Sequence, residues 1–160
     1  MDNTINNQSL VTLFKFRGKT LLFVGDAQWG NWENFLFGGA FGSPHHTDMT
    51  DMSKSILGAV DFYKVGHHGS TNANPIDAVN ALRDGCIAMC STEPGVYGRA
   101  KSGTEVPRAP LLDALQKKTN NQLVRSDQIP VPKKKPSSGL GPVPPVFSTH
   151  EGELFVDYNF

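Results

Sequence analysis

Asp61-Phe62-Tyr63-Lys64-Val65-Gly66-His67-His68-Gly69-Ser70 decides how the rest of the chain is read. Its first half is rich in the aromatic and β-branched residues that fit a pleated, half-buried surface, so it reads as a strand. The strand stops at Gly66. Two adjacent histidines then stand between glycines, on a tight loop where a metal could reach their imidazoles. Taken alone, such a pair reads more simply as hydrogen-bonded loop histidines.

Upstream, Ser9 to Phe16 and Thr20 to Val24 are two runs of strand formers joined by Arg17-Gly18-Lys19, the pattern of a β-hairpin. The second run is apolar at successive positions, which predicts a central strand covered on both faces. It ends in Gly25-Asp26-Ala27, placing a carboxylate at the tip of a rigid strand. An aspartate there is ordinarily a turn former or a helix cap. A short helix is expected over Asn31 to Phe37, with Trp29, Trp32, Phe35 and Leu36 forming its apolar face. Gly38 to Thr50 has no period and reads as a loop, and Asp51 to Leu57 as a helix.

Downstream, Asn74 reads as an N-cap with Pro75 at the first helical position, opening a helix to Arg83 that buries Ile76, Val79 and Leu82. Cys86 to Ser91 reads as a strand, Pro110 to Lys118 as a helix with Leu111, Leu112 and Leu115 inward, and Gln122 to Arg125 as a short strand. Residues 129–145 are proline-rich, carry Lys133-Lys134-Lys135, and read as a linker. Residues 146–160 read as a closing β-hairpin around Glu151-Gly152. Strands and helices alternate through residues 1–128, which predicts an α/β fold.

Composition bounds the function. Fifteen Lys+Arg against fifteen Asp+Glu in 160 residues give zero formal charge, which excludes a strongly basic nucleic-acid binder or a polyacidic tail as a description of the whole chain. No apolar stretch approaches the roughly 20 residues that cross a bilayer, and Met1-Asp2-Asn3-Thr4 lacks the basic start of a signal peptide. The expectation is a cytoplasmic protein with no membrane partner. Cys86 and Cys90, four apart in one strand, would lie about 13 Å apart on one face. A disulfide needs Cα atoms roughly 4.4–6.8 Å apart, so the two are expected to be buried and reduced.

Together, Asn6-Asn7-Gln8-Ser9-Leu10-Val11, Leu22-Phe23-Val24-Gly25-Asp26-Ala27 and Phe62 to Ser70 resemble the metallo-β-lactamase superfamily, in particular the hydrolase domains fused to bacterial DNA-uptake channels. Ala88-Met89-Cys90-Ser91 and Glu105-Val106-Pro107-Arg108, leading into Leu111 to Leu115, extend the resemblance, which covers most of residues 6–127. It implies one half of an αββα sandwich, a mixed sheet with helices on one face. Asp26 then matches a metal-bridging aspartate and His68 the late metal-ligand histidine, both at the catalytic centre. His67 would be a further metal-site residue, in a second shell or facing substrate. The implied cofactor is a divalent metal, zinc with manganese as the alternative, whose bound hydroxide would attack a phosphoester or nucleic-acid substrate.

The departures from the family pattern also carry information. The early His-x-His-x-Asp-His motif is missing, and His45-His46-Thr47-Asp48 lies after the Gly-Asp strand, in the wrong order. The family's frequent His-Pro is Val106-Pro107 here. The expectation is therefore the C-terminal half of a hydrolase, truncated, with binding incomplete and activity dependent on a missing N-terminal half or partner chain. The alternative is a catalytically inactive binding or assembly module. A serine nucleophile at Ser70 or Ser91 finds no Gly-x-Ser-x-Gly elbow and no evident base.

Overall fold

The computed structural model describes residues 6, 8–39, 46–129, 141–149 and 155–159. The proline-rich segment with Lys133 to Lys135, His45, and the turn at Glu151-Gly152 lie outside the described residues. The fold is α/β, built on a five-stranded mixed sheet of order β1-β2-β3-β4-β5. Strands β1 (Thr12–Phe16) and β2 (Lys19–Phe23) form an antiparallel hairpin with Phe16 opposite Lys19. The strands that follow, β3 (Phe62–Lys64), β4 (Ile87–Cys90) and β5 (Leu123–Arg125), add in parallel. Parallel neighbours need long crossovers, and the helices supply them: α1 (Trp29–Phe37) and α2 (Asp51–Gly58) between β2 and β3, α3 (Ile76–Ala81) between β3 and β4, and α4 (Ala109–Lys118) between β4 and β5.

Side chains alternate along each strand, so the sheet has two distinct faces. On one, Leu22, Val24, Tyr63, Val65, Ala88, Cys90 and Leu123 pack with Trp32 and Leu36 of α1, Leu57 of α2, Val79 of α3, and Leu111 and Leu115 of α4. All four helices therefore cover the same face. Cys86, Ala88 and Cys90 share that face, and both cysteines are buried and free of a disulfide. On the opposite face, Leu21, Phe23, Phe62, Ile87, Met89 and Val124 meet a separate two-stranded hairpin, β6 (Phe147–Thr149) with β7 (Val156–Tyr158). Its Tyr158 ring stacks on Phe62 at 5.7 Å.

The hairpin covers that second face incompletely. Phe14 and Phe16 of the edge strand share it with Leu21 and Phe23, yet they are 53% and 56% exposed. Strand β2 thus departs from the expectation of double coverage: Leu22 and Val24 are buried against helices, while Leu21 and Phe23 are only half-buried.

A second departure concerns α3. Its stripe is Ala78, Val79 and Leu82, with Ile76 exposed. The helix begins one residue later than its proline signal implies, with Pro75 in the cap position. Asn74 does not cap the helix, because its side chain is engaged elsewhere, as described below. The two leucine-type positions separate cleanly in energy. Leu115→Ala, at a fully buried site, should cost about 2–5 kcal/mol of unfolding free energy, whereas Ile76→Ala should stay within about 0.5 kcal/mol. Urea unfolding of the two variants would check this, and equal losses would contradict the assignment of the buried stripe.

Candidate functional site

In open α/β sheets, ligand sites form beyond the carboxyl ends of the parallel strands, and the residues with chemical potential gather there. Strands β2 and β3 pair in register up to Phe23 opposite Lys64. Just beyond, the His67 backbone N–H donates to the Gly25 carbonyl at 3.1 Å, so the two strand tips are joined directly. A Cβ built on Gly66 would lie 2.7 Å from Val24 Cγ2 and 2.8 Å from the Gly25 oxygen. Only glycine allows this approach. Asp26 follows at the tip of β2, half-buried, its own N–H donating to Ser9 Oγ at 3.1 Å.

The loop from Gly66 to Asn74 is held from inside. Asn74 is almost wholly buried, and its Oδ1 accepts from the Tyr63 hydroxyl (2.6 Å) and the Gly66 N–H (2.9 Å). Its Nδ2 donates to the Gly66 and Ser70 carbonyls at 2.9 and 2.6 Å. One amide side chain thereby satisfies both backbone groups of Gly66, which a buried loop must do somewhere. The Trp32 indole N–H adds a bond to the Ala73 carbonyl, and Trp29 N–H one to Asn72, tying the start of α1 to this loop. On the other side the Arg108 N–H donates to the Gly69 carbonyl, with Pro107 packed against Gly69.

Inside this frame His67, His68 and Gly69 all have positive φ, at 42°, 55° and 87°. Such a conformation costs a non-glycine residue energy and persists only where its surroundings over-determine it. His68 Nδ1 is 2.8 Å from the Ser91 carbonyl oxygen at the end of β4. That oxygen can only accept, so Nδ1 carries the proton, and in the neutral ring Nε2 is then the nitrogen with the lone pair. The Tyr97 ring stacks on the imidazole at 5.2 Å. His67 Nδ1 is buried without a hydrogen-bond partner among the described residues.

Asp26, His67 and His68 thus lie on one edge of the sheet, on adjoining strand tips. Among the described residues, no three His, Cys, Asp or Glu side chains come together as a group that could hold a metal ion. His46 belongs elsewhere. It is exposed and lies beside Gly38, at the carboxyl end of α1, whereas Asp26 precedes the amino end of this nine-residue helix. At 1.5 Å per residue the two ends are separated by about 13 Å.

Three participants escaped the sequence reading. Asn74 carried a visible signal, an Asn-Pro pair, whose ordinary meaning is a helix start. Tyr97 and the Ser91 carbonyl carried none, because they reach His68 only through tertiary packing. Lys64 is half-buried in an otherwise apolar strand; burial lowers its pKa, with Cys90 and Asp26 pulling it back up. The Cys86 and Cys90 thiols are both pushed up to about 11 by desolvation, which keeps them protonated and unreactive near neutrality.

Compared with known proteins, the chain matches no family model, no curated protein and no solved structure. Among the described residues no helix is long and apolar enough to cross a membrane.

Two measurements check this arrangement. Asn74→Ala leaves buried partners unsatisfied and should cost about 2–4 kcal/mol, with amide exchange accelerating most at Gly66 and Ser70; a loss spread evenly over the chain would contradict the clasp. The cysteines give a pH signature. Above pH 9 the unfolded chain sheds thiol protons that the folded chain keeps to about pH 11, so folding stability should fall across that window. Cys86→Ala/Cys90→Ala should flatten that slope, and an unchanged slope would refute it.

Proposed function

We propose that this chain is the carboxyl-terminal half of a metallo-β-lactamase-type hydrolase and contributes Asp26 and His68 to a metal centre completed from outside these residues. The observation that carries the reading is the bond from the His67 N–H to the Gly25 carbonyl, which brings an acid-bearing tip and an imidazole-bearing tip to one edge of a mixed sheet. The resemblance in sequence assigns these same two tips to metal ligation.

The donors fit part of such a centre. Asp26 makes no side-chain hydrogen bond or ion pair among the described residues. His68 has the arrangement common to metal-bound histidines, one nitrogen donating to a carbonyl and the other free to ligate. The Nδ1 of His67 is buried without a partner, but His67 does not form a three-ligand group with Asp26 and His68 among the described residues. A zinc ion takes four ligands, so these residues leave any cation short. When bound, a zinc- or manganese-type ion supplies a hydroxide nucleophile near neutral pH and polarises a phosphoryl oxygen. This chain's part is to hold its carboxylate and imidazole in fixed orientation, with Tyr97 closing one side of His68.

The sheet supports incompleteness independently. Phe14 and Phe16 stand half-exposed on the face where a sandwich would place its second sheet. The second reading, an inactive binding module, draws on the lack of a three-ligand group among the described residues. A titration of the full chain with Zn²⁺, followed by NMR, separates them. The hydrolase reading expects weak binding that perturbs Asp26 and His68 together and weakens about tenfold or more in His68→Ala. Resonances of Asp26 and His68 that stay still while Zn²⁺ binds elsewhere, or not at all, would favour the binding module.

A further inference from the structure

We infer that a cavity on the hairpin side of the sheet, lined by Lys64 and linked to His68 through Ser91, binds a phosphate monoester with a small apolar body. The cavity is about 220 Å³ and opens at the carboxyl ends of β3, β4 and β5. Met89, Val124, Phe155 and Val156 supply apolar wall, while Lys64, Arg125, Ser91 and Ser126 supply the polar side. At this size, below the roughly 300–1,000 Å³ of drug-sized pockets, it takes a ring or a short chain with its charged head.

The charge at Lys64 makes the cavity selective. Its ammonium has no ion pair among the described residues, unlike Arg125 beside it, whose guanidinium is held by Asp127 at 2.6 Å. A half-buried ammonium without a counter-ion gains from an anion that brings its own charge, and an apolar wall gains from the body attached to it. Ser91 links the cavity to the candidate centre: its residue lines the cavity while its carbonyl holds the His68 ring. The choice of phosphate among oxyanions rests on the hydrolase reading; the cavity and its unpaired lysine do not.

The test is an NMR titration of the full chain at pH 7 with EDTA present throughout, so that the outcome is independent of any metal centre. Phenyl phosphate should shift the Lys64 ε-methylene, Met89 and Val156 signals and saturate, with inorganic phosphate and benzyl alcohol each about tenfold weaker or worse. Lys64→Met should weaken phenyl phosphate by about tenfold, and because that variant could also disturb folding, the Lys64 signal of the unmodified chain is the second readout. A silent Lys64 signal, benzyl alcohol or inorganic phosphate binding as well as phenyl phosphate, or undiminished binding in a folded Lys64→Met overturns the proposal. Failure here leaves the Zn²⁺ response of Asp26 and His68 standing, and failure of that response leaves the cavity standing.

Discussion

Gly66 has no room for a side chain, because the tips of β2 and β3 are pressed together at that point: Val24 and the Gly25 carbonyl occupy the space a methyl group would need. The approach leaves the Gly66 backbone buried between two strands and a helix, where its N–H and C=O cannot reach water. Asn74 answers both groups with one amide, and Tyr63 fixes that amide from the sheet side. Everything chemically notable follows from this junction. The chain leaves it through three successive residues of positive φ, and that reversal places both imidazoles at the mouth of the sheet. Without the junction, the acid and the histidines would be ordinary loop residues.

The α/β class and most elements were legible in the sequence because they rest on local signals. The turn at Arg17-Gly18-Lys19, the apolar run to Val24, and the leucine spacing of α4 each point to one structure. Double coverage of β2 was misread for a physical reason: an apolar run marks residues able to be buried and says nothing about whether a partner layer is present. Asn74 was misread because the same residue type serves as helix cap and as buried clasp, and only the position of Tyr63 and Gly66 in space distinguishes them. At the candidate site, Asp26 and His68 were singled out through the family resemblance, since Gly-Asp at a strand end and a His pair in a loop each have an ordinary reading on their own. The sequence could not name Tyr97 or the Ser91 carbonyl, whose roles are created by the return of the chain from β4.

The fold is also asymmetric in how it hides apolar surface. The helix face is closed by four helices and contains nearly all the fully buried large side chains. On the hairpin face, Phe147, Val156 and Tyr158 pack on Phe62, Ile87, Met89 and Val124, and coverage fades toward β1. Phe14 and Phe16 each keep roughly 100 Å² out of reach of the hairpin, which at about 25 cal/mol per Å² leaves on the order of 2–3 kcal/mol per ring unrealised. A second layer laid against this face would recover that energy; on the helix side the exposed apolar surface gathers instead between α1 and α2, at Phe35, Met52 and Ile56.

The same asymmetry explains why an unpaired lysine can persist at Lys64. On the helix face it would be sealed among leucines and would have to lose its proton or find a carboxylate. On the hairpin face it stands where coverage is partial, beside Met89 of the neighbouring strand, and lines a cavity open at the carboxyl ends of the strands. Asp26 lies close enough to raise its proton affinity and too far to form an ion pair. The carboxylate and the ammonium therefore both remain available to a third party.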